Sequence, residues 1–169
     1  MKSQPDFVDL IVEQLVAELP QAGAEAVAPI ARFGRLNGLL RKAVVDCIGE
    51  HELRESEYNV LAALRRSGAP YQLAPSDVSR GMLFTSGGLT PVLDRLENRG
   101  LIKREPDAVD RRKLKVQLTP AGMALHEEAF DSYVGIATEL TDVLSPKQKE
   151  QLNDLLRVLL RSLEGPGVK

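Results

Sequence analysis

The sequence predicts a mostly α fold of the α+β kind, a run of helices interrupted once by a short β-hairpin. Three observations predict it. Apolar residues recur at helical spacing through most of the 169 residues. That period gives way to strand-like alternation over Leu114–Thr119, shortly after a second β-compatible run at Leu101–Arg104. Proline, glycine and short hydroxyl residues stand where one pattern stops and the next begins.

Taken in order, Asp6 to Leu19 is an amphipathic helix carrying Phe7, Leu10, Ile11, Val12, Leu15, Val16 and Leu19, broken by Pro20. A longer helix follows from about Ala26 to Ile48, and Gly49 ends it. Ser56 opens a third helix, Glu57 to Arg66, which Ser67-Gly68 closes. Pro70 and Pro75 frame a loop, and Ser76 to Met82 reads as a short helix. After a turn at Leu83–Phe84, Thr85 or Ser86 can cap a helix whose stripe is Leu89, Leu93 and Leu96, with Gly100 at the C′ position. Pro91 removes the bond to the Gly87 carbonyl, so that helix starts late or kinks. Beyond the hairpin, Pro120 at N1 starts a helix through Leu140. Ser145-Pro146 then starts a last one, whose leucine face (Leu152, Leu155, Leu156, Leu159, Leu160, Leu163) is too wide to leave in water.

The stretch Thr85–Thr119 carries the functional signal. A short helix, a turn and a second helix make a helix-turn-helix. The hairpin after it is a ribbon whose loop bears Asp107, Asp110, Arg111, Arg112 and Lys113, and the whole is a nucleic-acid-reading unit. From Ser76 to Thr119 there are nine Lys/Arg against six Asp/Glu, a local excess of basic charge in a chain whose net charge is −2. A pI near 5.8 argues against a general nucleic-acid coat and leaves room for a specific reader with its basic charge on one face.

The expected DNA-facing residues are Thr85, Ser86, Gly87, Gly88, Thr90 and Arg95 on the second helix, and Asp110, Arg111, Arg112 and Lys113 on the hairpin. Missing side chains at Gly87 and Gly88 let a helix N-terminus approach a phosphate, and Ser86 and Thr90 offer hydroxyls. Gly-Gly alone equally permits close packing. Arg95 either reaches DNA or pairs with Asp94 or Glu97. Asp110 can orient a guanidinium fork for a narrow minor groove; a bare arginine pair in a turn would otherwise be solvated.

Other classes are excluded or disfavoured. No apolar run approaches the roughly 20 residues of a membrane helix, no secretory signal is evident, and the expected compartment is the cytoplasm. One cysteine, Cys47, allows no intramolecular disulfide and reads as buried and structural. His51 and His126 do not form a metal-ligand pattern, and no catalytic motif or cofactor site is present. The alternative from another class is a winged-helix protein-interaction module that does not bind specific DNA.

These residues carry a resemblance. The stretch resembles the winged helix-turn-helix of the MarR family, the multiple-antibiotic-resistance regulators, in Asp94–Glu97 (DRLE), Arg99–Leu101 (RGL), Asp110–Arg112 (DRR), Leu118–Gly122 (LTPAG) and the upstream Tyr58–Gly68 segment. The likeness spans roughly residues 30 to 163. It implies a dimeric transcriptional regulator, usually a repressor, on a palindromic operator in double-stranded DNA. One helix would enter the major groove and the wing the minor groove. Residues 1–50 and 121–169 would form the helical dimerisation region and 51–120 the DNA-binding domain.

The extra N-terminal helix and the Pro70–Arg80 segment are similar to the PecS-like, urate-responsive branch. The chain departs from it with Leu15 in place of a tryptophan, Asn59 in place of an acidic residue and Val92 in place of an arginine. The implied effector pocket is then lined by Leu15, Phe33, Leu36 and Val92, with Arg32, Tyr58, Asn59 or Arg104 as polar anchors. Such a site suits a small aromatic or phenolic molecule better than a purine anion.

Overall fold

The computed structural model describes residues 4–20, 23–81, 88–107 and 113–164. The expectations that fall on Thr85, Ser86, Gly87, Asp110, Arg111 and Arg112, and on the turn at Leu83–Phe84, lie outside them. The chain divides into two compact units, Met1–Asp46 and Cys47–Lys169.

In the first unit, α1 (Phe7–Glu18) begins at an Asp6 cap, whose carboxylate accepts from the Val8 and Asp9 amides while Asp9 reaches back to the Asp6 N–H. This reciprocal pair satisfies the orphan donors of the first turn. A 3-10 turn (Ala24–Ala26) leads into α2 (Val27–Gly49). Arg32 of α2 bonds both caps, at 2.9 Å to Asp6 and 2.6 Å to Asp9, and Arg35 lies 5.1 Å over the Phe7 ring. The Arg32 hydrogen bond, with the two backbone donors, holds the Asp6 carboxyl down at about 2.

The second unit is built around α3 (Glu55–Arg66), in which every residue from Glu57 to Leu64 is buried. It packs against α6 (Pro120–Thr141), α4 (Pro75–Gly81), α5 (Leu89–Asn98) and a three-stranded antiparallel sheet. The sheet order is β1 (Gln72–Leu73), β3 (Leu114–Leu118), β2 (Ile102–Pro106), with Arg104 opposite Val116 and Pro106 opposite Leu114. Ile48, Leu61, Leu64, Leu96, Ile102, Val78 and Val116 form the fully buried core. The last helix, α7 (Pro146–Glu164), has no buried residue. Its start follows the Ser145-Pro146 expectation: the Gln148 side chain accepts from the Ser145 N–H at 2.8 Å.

Four expectations are corrected. The helix α3 starts at Glu55 rather than Glu57, because the Glu57 carboxylate already accepts the Arg54 N–H at 2.9 Å, so Ser56 lies inside the first turn. The Pro70–Pro75 segment contains β1. Two residues cannot show alternation, and their partners Gln117 and Val116 are distant in sequence. Leu101 is not the start of a strand: its N–H bonds the Leu96 carbonyl and the Gly100 N–H bonds that of Glu97. This closes α5 with Gly100 at φ +69°, the left-handed C′ conformation that glycine adopts without a Cβ clash. Finally, α5 is capped by Gly88 with no side-chain bond, so Gly88 is not within its first turn. Pro91 then occupies one of the leading positions whose amide has no helical acceptor, and it costs no bond there.

The Leu118–Gly122 segment shows why its residue types are needed. Thr119 caps α6, accepting from the Gly122 N–H at 3.1 Å and donating to the Gly100 carbonyl at 2.7 Å. A Cβ at Gly122 would lie 2.0 Å from the Leu101 carbonyl oxygen, so only glycine lets α6 pass this close to the turn after α5.

Candidate nucleic-acid interface

The helix α5 has a sharply divided surface. Val92, Leu93 and Leu96 are buried, while Thr90, Pro91, Asp94 and Asn98 are exposed. The apolar side sits on α3 and β2, which turns the Thr90–Asp94–Asn98 stripe outward. Val92, expected as a pocket-lining residue, is buried at 5% exposure on this apolar side. The outward stripe carries one charged residue, Asp94, whose carboxylate is bonded by the Arg104 guanidinium.

The charged residues of the Asp94–Glu97 motif are all used inside the unit. Arg95 donates from Nε to Glu57 Oε1 at 2.8 Å, rather than pairing with Asp94 or Glu97. Glu97 accepts the Arg104 backbone N–H at 3.0 Å and lies 3.3 Å from its guanidinium. Arg104, expected as an effector anchor, is committed to α5. Sequence reasoning missed Glu57 as the partner of Arg95; the two are 38 positions apart and no local spacing joins them.

Glu57 is 3% exposed. Burial pushes its carboxyl up, but the Arg54 N–H, the Arg95 hydrogen bond and the charges of Arg95 and Arg99 together hold it below the usual glutamate range. A buried carboxylate needs such partners to stay ionised.

On the hairpin, β2 and β3 bring Asp107 and Lys113 together, the Asp107 N–H donating to the Lys113 carbonyl at 2.8 Å. Lys115 lies 3.3 Å from the Asp107 carboxylate, and Lys103 pairs with Glu105 at 2.6 Å. Lys113 thus lies opposite Asp107 at the end of the described hairpin; Asp110, Arg111 and Arg112 precede it in the sequence.

The eight residues expected around an effector are divided between the two units, Leu15, Arg32, Phe33 and Leu36 in the first and Tyr58, Asn59, Val92 and Arg104 in the second. Leu15 is half-buried, Phe33 and Leu36 are exposed, and Arg32 is engaged by Asp6 and Asp9. Tyr58 and Asn59 are buried. The Tyr58 ring stacks on His126 at 5.6 Å between centroids, and His126 stacks on Phe130 at 5.9 Å. Cys47 is buried, as expected, and burial raises its thiol pKa, followed by the charge of Glu50. Among the described residues no group of His, Cys, Asp and Glu is arranged to hold a metal ion, and no helix is long and apolar enough to cross a membrane.

A helix pair with an outward polar stripe on its second member, joined to a two-stranded wing, defines a winged helix-turn-helix DNA-binding protein. Comparison with known proteins gives the family. The MarR family model matches residues 51–113. The chain is 34% identical over 154 residues to the HTH-type transcriptional regulator PecS of Dickeya dadantii, covering 91% of this chain and 90% of that protein. Among solved structures, it is similar to Bordetella bronchiseptica BpsR, whose DNA binding is regulated by 6-hydroxynicotinic acid (28% identity, 75% of this chain and 91% of that one, TM-score 0.62). A mutant MarR from E. coli complexed with operator DNA shares the fold (24% identity, 79% of this chain and 97% of that one, TM-score 0.65). The chain belongs to the MarR family of HTH-type transcriptional regulators, which are DNA-binding proteins and not enzymes.

Proposed function

We propose that the protein is a ligand-responsive repressor that binds a palindromic operator as a homodimer. The observation that carries this is the outward stripe of α5, held beside a wing by Arg104. In this reading Thr85, Ser86, Gly87, Gly88 and Thr90 are the residues for the major groove, and Asp110, Arg111, Arg112 and Lys113 those for the minor groove. The absence of a cation on the described outward stripe gives base readout through hydroxyls and shape rather than bidentate arginine.

The apolar face of α7, with Leu155 65% and Leu163 82% exposed, supports a second copy of the chain as the partner, because a face of this kind is stable only when covered. Two-fold symmetry then sets two half-sites about 10 base pairs apart. The DNA-binding and helical regions divide as 51–120 against 1–50 and 121–169.

The effector is a small aromatic or phenolic molecule. The engagement of Arg32 by Asp6 and Asp9, and of Arg104 by Asp94 and Glu97, supports this, since both cations are already neutralised and a purine anion would have to displace a carboxylate. The ligand of BpsR, also a small aromatic, is consistent with it. A ligand releases DNA to the extent that it prefers the DNA-incompetent state.

A genomic-fragment selection followed by footprinting tests the operator; a single unpaired half-site contradicts the palindrome. Arg111→Ala with Arg112→Ala is expected to weaken binding to operator and random DNA alike, lowering the magnitude of the log–log salt slope by about 0.9 per lost phosphate contact. Titration of the complex with urate and with phenolic acids is expected to release DNA with the phenolics; release by micromolar urate alone refutes the effector class.

A further inference from the structure

On the assignment of α5 as the operator-reading helix, we propose that Glu57 is a positioning residue for DNA recognition, fixing the rotation of that helix about its own axis. The apolar contacts beneath α5 cannot do this alone. Burial of Val92, Leu93 and Leu96 is non-directional, so a small roll of the helix keeps most of it while swinging the outward stripe away from the bases. Successive residues are about 100° apart around a helix, which places Arg95 and Arg99 on one flank of the buried stripe and Glu97, towards Asp94, on the other. Each flank is tied to a different element. Arg104 on β2 takes Asp94 and Glu97, and Glu57 on α3 takes Arg95 at 2.8 Å and lies 3.7 Å from Arg99.

The two ties differ in quality. Asp94 and Glu97 are 52% and 40% exposed, so solvent screens the carboxylate side of the Arg104 tie, whereas Glu57 is almost fully buried and its bond to Arg95 is less screened on that side. Arg99 adds a second anchor, donating from Nη1 to the Glu52 carbonyl at 2.8 Å. Glu52 sits at φ +56°, which a non-glycine residue keeps only with support, so Arg99 also holds the turn that precedes α3. Glu57 itself is 3% exposed and so offers no side chain to a DNA partner. Its effect on binding passes through Arg95 and Arg99.

The test compares wild type, Glu57→Gln, Arg95→Gln and the double variant on two duplexes of equal length: the fragment most enriched in the genomic selection, and a random sequence. Dissociation constants and salt slopes are read by fluorescence anisotropy, and folding by thermal melting. Glu57→Gln is expected to lose affinity for the enriched duplex on the order of tenfold, the scale of one misread base pair. Its affinity for the random duplex and its salt slope are expected to stay at wild-type values. The double variant is expected to lose no more than either single one. Equal losses on both duplexes, or no loss on the enriched one, overturn the proposal. Additive losses with a salt slope reduced by about 0.9 in Arg95→Gln place Arg95 on a phosphate and also overturn it. A wild type that does not prefer the enriched duplex refutes the assignment of α5 itself, and the inference with it. If Glu57→Gln does not fold, Glu57→Asp is read by the same criteria.

Discussion

The helices α3 and α7 are both leucine-bearing amphipathic segments, and they end in opposite environments. In α3, of 12 residues, eight consecutive positions are buried, two of them polar (Glu57 and Asn59). In α7, of 19 residues, none is buried, and Leu155, Val158, Leu160 and Leu163 are each more than half exposed. The difference teaches that an apolar stripe states a need for cover without saying what supplies it. For α3 the cover is the same chain on all sides, so even its carboxylate is partnered. For α7 no cover among the described residues removes the stripe from water, which is the physical reason to assign it to a second copy.

The largest break in this contrast is expected from a core truncation. Leu61→Ala, at a fully buried position of α3, is expected to cost about 2–5 kcal/mol in denaturant unfolding. Leu155→Ala on α7 is expected to change protomer stability by less than about 0.5 kcal/mol when measured below the dimer dissociation constant. Similar losses at both positions erase the distinction. Next in size, Leu155→Lys with Leu159→Lys is expected to leave a folded protomer and to weaken dimerisation on the order of 100-fold, since about 1.4 kcal/mol is each factor of ten. Sedimentation equilibrium reads this, and an unchanged dimer removes α7 from the interface.

The smallest effect concerns pH and sharpens the picture of α3. His126 of α6 is stacked between Tyr58 and Phe130. Burial, then the charge of Arg65, depresses its pKa below the ordinary 6.5. The unfolded chain therefore takes up a proton before the folded one does. Stability is complete above pH 6.5 and is lost as pH falls through the ordinary histidine range towards the depressed value. Thermal melts of wild type from pH 7.5 to 5.5 are expected to fall, and His126→Phe is expected to flatten that slope. A slope that survives the substitution assigns it to another group.

Much of this was legible in the sequence because it is local. Helical periods, the Asp6 and Ser145 starts, Thr119-Pro120 and the Gly100 stop depend on residues within a few positions of one another. The late start of α5 followed from Pro91, though its cap at Gly88 did not. The reader helix, the wing and the family pattern were visible for the same reason. Less of the site's wiring was visible. Arg104 was expected as an effector anchor, and Arg95 either as a DNA contact or as a partner of Asp94 or Glu97; both are held by carboxylates, that of Arg95 38 positions away.

By itself the sequence determined the order of the helices and the hairpin, many of their ends, the glycine stop at Gly100, and which stretch carries the nucleic-acid-reading pattern. These follow from backbone sterics, capping and period, which act over one or two turns of chain. Only the tertiary structure decided which charges are free to meet a partner and which are already satisfied. It paired β1 with β3, sank Val92 into the core, and gave Arg95 to Glu57 and Arg104 to Asp94 and Glu97. An ion pair depends on distance in space and on burial, and neither is a property of a residue's neighbours in sequence.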